Sequence, residues 1–150
     1  MSTEIQIEAH RALREAQRRY TYFLLAAAGA AFAFAVNQTQ GMPLSLSQVP
    51  LGFAVAAWGL SFFYGCRHLA YVSSNLYANV ELLNVESGQH PEVGNHPDYI
   101  AAASQGIRSA FEKNADRANR FGQWQFGLLI VGSVLYLAWH VWEMYILSAA

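Results

Sequence analysis

The chain is poor in charge, and the little it has is unevenly placed. Only 13% of its 150 residues are Asp, Glu, Lys or Arg, about half the share of a typical soluble domain. No charged residue lies between Tyr20 and Cys66. Cysteine is nearly missing: Cys66 stands alone, which excludes an intrachain disulfide and a cysteine-only zinc site. There is no basic excess either. The net charge of −1 argues against a general nucleic-acid binder, so no nucleic acid is expected as a partner. Catalytic signatures are missing as well. The chain has no Gly-rich phosphate loop, no His-Glu-x-x-His, no Gly-x-Ser-x-Gly and no paired cysteines, and no enzymatic activity or cofactor is expected.

What is present is apolar sequence, at 54% of residues, gathered into three runs. The first covers about 20–37 and is rich in alanine. Asn37-Gln38-Thr39-Gln40-Gly41-Met42-Pro43 follows it as a polar, breaker-rich turn. The second covers about 50–66, with Pro50 suited to a first helical turn. The third covers about 123–147, where Trp124 and Trp142 are separated by a helical rise of roughly 27 Å, close to the hydrocarbon thickness of a bilayer. Each run is long enough for a membrane crossing. The mean hydropathy of the whole chain is only +0.16, which fits a polar part diluting the spans.

The nine cations then give an orientation. Arg11, Arg14, Arg18 and Arg19 precede the first run, and Arg67, Arg108, Lys113, Arg117 and Arg120 lie between the second and third. Positive charge is retained in the cytoplasm during insertion, so the N-terminus is expected inside and the C-terminus outside, periplasmic or extracellular. The polar N-terminus lacks the form of a cleavable leader, so the first run is expected to act as an uncleaved anchor. Arg67-His68, directly after the second run, marks a headgroup boundary, with Arg67 snorkelling.

The charged parts carry helical patterns too. Thr3-Glu4-Ile5-Gln6 fits a capping box, and Ile5, Ala9, Ala12, Ala16 and Tyr20 form a stripe leading into the first run. Leu69, Val72, Leu76, Val80 and Leu83 form another, ending at Ser87-Gly88. Pro97 and Asp98 restart a helix whose stripe is Ile100, Ala103, Ile107, Phe111, Ala118 and Phe121. The expected fold is an all-α integral membrane protein. Three long helices each have a transmembrane half and a cytosolic half, and the cytosolic halves form a small membrane-proximal bundle. The chain is a single domain, 1–150, with its cytosolic helical hairpin at about 67–122.

Four groups of residues are candidates for function. Gln125, Gly132, Tyr136, His140 and Glu143 share one face of the third span, bordered by Ser133. Polar groups in a span face a bundle interior or water, so this face either packs, sits at the outer interface or lines an aqueous path. Gly29 and Ala33 in the first span, with Gly52, Ala56 and Gly59 in the second, let helices approach closely within one subunit or between copies. His90 and His96 lie in a twice-repeated Gly-x-His-Pro at 88–97. They serve either as loop punctuation or as ligands and a tip for a cytosolic protein partner, in a spacing that matches no zinc pattern. Asn75, Asn79 and Asn114 border the cytosolic stripes and either fix register or are solvated.

The layout is similar in outline to small helical membrane effectors of bacterial stress and antiviral systems, an analogy of architecture with no diagnostic motif. The expected function is that of a small oligomeric inner-membrane protein, pore-like or membrane-perturbing, with a cytosolic assembly or sensing bundle. The alternative is a non-conducting scaffold or accessory subunit. Membrane lipid and further copies of the chain are the expected partners.

Overall fold

The computed structural model describes residues 2–41 and 46–149, with the side chains of 2–7, 10, 147 and 149 left aside. The capping-box side chains, Ile5 and the turn residues Met42 and Pro43 therefore lie outside the described residues. All regular structure among the described residues is helical: α1 Ser2–Gln38, a single turn Leu46–Gln48, α2 Val49–Glu86 and α3 Pro97–Ala149. α1 begins at Ser2, one residue before the expected cap. All three long helices are long and apolar enough to cross a membrane. In their most apolar windows only 22%, 33% and 17% of residues are buried. Phe23, Phe53, Phe63, Val134, Leu137 and Val141 are left facing outward, a surface suited to lipid and costly in water.

Sequence chemistry explains the helix ends. α1 stops where the Thr39 hydroxyl turns back to the carbonyls of Ala35 and Val36, and Gly41 follows with φ +81°. α2 ends in a Schellman motif. Gly88 N–H donates to Val85 O and Gln89 N–H to Asn84 O, both at 3.0 Å, with Gly88 at φ +69°. α3 starts with Pro97 in its first turn and Asp98 beside the positive end of the helix dipole.

By internal contacts the chain forms two compact units. One comprises the chain up to Gly65 together with the chain from Gln123, and the other is Cys66–Gly122. In the first, the buried positions of α2 are Leu51, Ala54, Ala57, Trp58, Ser61 and Gly65. Apart from Ala57 these follow the alternating three- and four-residue steps of a coiled-coil seam. Thr21, Ala28 and Ala35 recur every seven residues on α1, as do Gln125, Gly132 and Trp139 on α3. Ala35, Leu51, Trp58 and Trp139 form the core cluster, with Leu129 and Tyr136 packed against it. Small buried residues bring backbones close, and in lipid that packing, with interhelical hydrogen bonds, holds helices together.

In the second unit α2 and α3 form a hairpin, and its buried face is not the one that the apolar stripe marks. Val85 and Ala118 are buried, and His68, Tyr71, Asn75, Ala78 and Leu82 are half-buried. Of the stripe, Leu69 is half-buried, but Val72, Leu76, Val80 and Leu83 are 36%, 57%, 55% and 59% exposed. The α3 stripe behaves as expected along most of its length, with Ala118 buried, Ile100, Ala103, Ile107 and Phe121 half-buried and Phe111 exposed. On α1, Ala9, Ala12, Ala16 and Tyr20 are exposed. A stripe of alanines offers little area to bury, at about 25 cal/mol per Å², against the entropy of fixing a neighbour.

Candidate functional site

The polar face of α3 is built around Gln125, which is 1% exposed. Its backbone carbonyl accepts the Ser61 hydroxyl at 2.7 Å, while its amide Nε2 is buried without a hydrogen-bond partner. Gly65 makes room for that amide: a Cβ there would lie 2.6 Å from Gln125 Nε2 and 2.7 Å from Leu25 Cδ2. One helical turn along α2 from Ser61, Trp58 Nε1–H donates to Leu129 O at 3.3 Å. Both bonds end on helical carbonyls, whose second lone pair is free for an extra donor.

Two turns further along α3, Gly132 is buried beneath the Trp58 ring. Tyr136 then centres an aromatic group. Its ring lies 5.6 Å from Trp58, 5.7 Å from Trp139 and 6.3 Å from both Phe34 and His140. Its hydroxyl donates to Gln38 Oε1 at 2.9 Å. The half-buried Ser133 turns its hydroxyl onto Leu129 O of its own helix at 2.9 Å. His140 is exposed, stacked parallel to Tyr136, and Glu143 is half-buried. The face thus divides. Gln125, Gly132 and Tyr136 are engaged inside the first unit, whereas His140 and Glu143 lie at its edge, near the end of α3.

The small residues divide in the same way. Gly29 lies 3.8 Å (at its would-be Cβ) from the Phe62 ring, and Gly59 the same distance from Phe32. Each glycine thus receives the other helix's phenylalanine. Gly52 has open space around it, and Ala33 and Ala56 are exposed. The closest approaches belong to Gly65 and Gly132, with Ser61 and Trp58 as the interhelical donors. Ser61 signalled its role by being the one serine or threonine in the apolar stretch 50–66 of α2. Nothing in the sequence separated Gly65 from Gly52.

His90 is committed within the hairpin loop. Its Nδ1 accepts the backbone N–H groups of Glu92 and Val93 at 3.2 and 3.3 Å, so the ring proton sits on Nε2, 2.6 Å from Glu81 Oε1. His96 is exposed, against the Tyr99 ring at 5.1 Å and 3.9 Å from Asp98. The loop does not bring the two histidines to a common ligand position, and no group of three His, Cys, Asp or Glu among the described residues is arranged to hold a metal. Asn114 Nδ2 donates to Ser74 Oγ at 3.4 Å, Asn75 Oδ1 is buried without a partner, and Asn79 is exposed. Elsewhere in this unit Arg108 pairs with Glu86 at 2.7 Å. On α1, the hydrogen bond from Arg19, with the positive charges of Arg18 and Arg19, holds the Glu15 carboxyl below the usual glutamate range.

No protein-family model matches the chain, and neither the curated proteins nor the solved structures contain a match to it.

Proposed function

We propose that this is a multi-pass membrane protein that self-associates and acts as a non-conducting scaffold. In this reading the N-terminus and the 66–122 hairpin are in the cytoplasm. The observation that carries it is the exposed apolar stripe Val72, Leu76, Val80 and Leu83. It lies in the 66–122 segment, which carries five of the nine cations and where water is the expected solvent, and such a patch calls for a partner. Three- and four-residue spacing suits a helix from a second copy. Exposed Ala33, Gly52 and Ala56 would let spans of neighbouring copies approach closely. The scaffold reading is favoured over a pore because the Gln125 amide is packed against Gly65, the Ser133 hydroxyl turns onto Leu129 O of its own helix and the Tyr136 hydroxyl donates to Gln38 Oε1, so each polar group is engaged within the unit. The exposed 88–97 loop remains the position for a cytosolic protein partner.

The test is mass measurement of the full chain in mild detergent, with liposome flux beside it. An oligomer that Leu76→Glu with Leu83→Glu dissociates, and liposomes that stay tight, support the proposal. A strict monomer overturns self-association. Ion flux from assembled protein, lowered by Glu143→Gln or His140→Ala, replaces the scaffold with a pore that uses the outer end of α3.

A further inference from the structure

Two guanidinium groups in the 66–122 unit converge on one aromatic ring. The Arg67 guanidinium carbon lies 5.3 Å from the Tyr71 ring centre and 5.9 Å from that of Phe121. The Arg117 guanidinium carbon lies 6.0 Å from the Tyr71 centre. Tyr71 and Phe121 are stacked at 5.5 Å with only 10° between their planes. His68 links the same two helices, with its Nδ1 2.7 Å from Ala118 O. A carbonyl can only accept, so Nδ1 carries a proton there.

Arg67 donates to the Tyr71 hydroxyl at 3.2 Å, and its remaining donors meet no acceptor among the described residues. Neither Arg67 nor Arg117 has a carboxylate ion pair among the described residues, although Glu15 and Glu86 each hold an arginine elsewhere. Both residues are exposed. Two like charges held near one ring repel each other unless an anion bridges them. The planar forks of two arginines match the non-bridging oxygens of a phosphodiester.

The sequence position selects the source of that phosphate. Arg67 is the first cation after the uncharged stretch from Tyr20 to Cys66, and Arg117 precedes Trp124 by two helical turns, where headgroups are expected. Uncompensated positive charge favours a headgroup with net negative charge over phosphatidylcholine, whose choline would meet the guanidinium groups unfavourably. We propose that Arg67 and Arg117, arrayed on the Tyr71–Phe121 stack, form a binding site for the phosphodiester of an anionic membrane phospholipid. This rests on the membrane reading given above.

The experiment uses the full chain in phosphatidylcholine nanodiscs with spin-labelled phosphatidylglycerol, reading the motionally restricted fraction against spin-labelled phosphatidylcholine. Arg67→Gln with Arg117→Gln should lower the preference for phosphatidylglycerol about tenfold, and Arg117→Gln alone about threefold. Lys113→Gln with Arg120→Gln removes the same charge from the same segment and should leave most of the preference. Arg117→Gln touches only one ring contact, so its effect does not depend on whether the double variant folds. Equal losses in the two double variants mean a diffuse field and overturn the site, as does an unchanged preference in Arg117→Gln. Displacement of the labelled lipid by excess inorganic phosphate would reassign the site to a soluble anion and overturn the lipid proposal. Incorporation without any phosphatidylglycerol preference overturns the site alone. Failure to incorporate overturns the membrane reading and the site with it.

Discussion

Replacing Gly132 by alanine tests the packing of the first unit at its tightest point. The new Cβ would lie 2.6 Å from both Trp58 Cδ1 and Nε1 and 3.1 Å from the Ala54 carbonyl oxygen. Comfortable carbon contacts lie at about 3.5–4.0 Å, so the ring must retreat by roughly 1 Å or the helices must part. Retreat is hard. Trp58 is 4% exposed, its Nε1 is held by Leu129 O, and Tyr136 lies against its ring. Overpacking of this kind costs about 1–3 kcal/mol. Alanine returns about 1 kcal/mol through helix propensity, leaving a net loss of about 0–2 kcal/mol and a deficit of about 1–3 kcal/mol relative to an unhindered Gly→Ala change. Gly127 is the internal control, because no atom lies within 4 Å of its Cβ position, and Gly127→Ala should be neutral or stabilising. Denaturation in detergent, followed by far-UV circular dichroism, measures both. In a Trp58→Phe background the Gly132→Ala loss should shrink by about 1 kcal/mol, since the smaller ring vacates space. If Gly132→Ala is as well tolerated as Gly127→Ala, the close approach of α2 and α3 described above is wrong.

Gln125→Met removes the buried amide that lacks a partner and should hold or raise stability in the same assay, by up to about 1–3 kcal/mol; a clear loss would mean that the amide is satisfied. Ser61→Ala deletes the bond to Gln125 O and should cost about 0.5–1.5 kcal/mol. Gly88→Ala forces a side chain into φ +69° and against Asn95 Oδ1, costing roughly 1–2 kcal/mol, read as faster amide exchange at Gln89. The Glu15 carboxyl is depressed in the folded chain. Its contribution is therefore present above the ordinary glutamate pKa and is lost as pH falls through the lower folded value. A carbon-detected NMR titration should show a depressed midpoint that rises in Arg19→Gln, and an unchanged midpoint refutes the pairing.

The three helices could be read from the sequence because breakers and caps are local: Pro97 and Asp98 open α3 and Gly88 closes α2, as the residue types require. Which face of each helix packs was harder to read, for a physical reason. In a soluble helix the inward face is the apolar one, but in an apolar span that contrast vanishes. Gly52 and Gly65 then look alike, although one has open space and the other sits against Gln125 and Leu25. The polar stripe was the better guide, since Gln125 cannot easily face lipid and is 1% exposed. In the hairpin the error had the opposite sign. Apolar periodicity pointed to Leu76 and Leu83, yet the half-buried positions include His68, Tyr71 and Asn75, whose side chains stack and hydrogen-bond, or border the partner helix. Periodicity reports which residues want cover, and what covers them is not written in one chain.

The hydrogen bonds from Trp58 and Ser61 to the carbonyls of Leu129 and Gln125 divide the constraint between the two helices unequally. The donors are side chains, so α2 must keep particular residues at two positions. The acceptors are backbone atoms present whatever residue stands there, so these bonds ask nothing of the α3 side chains beyond space. Substitutions that accumulate over time should therefore be tolerated more freely at Leu129 than at Ser61, while the register between the helices is preserved.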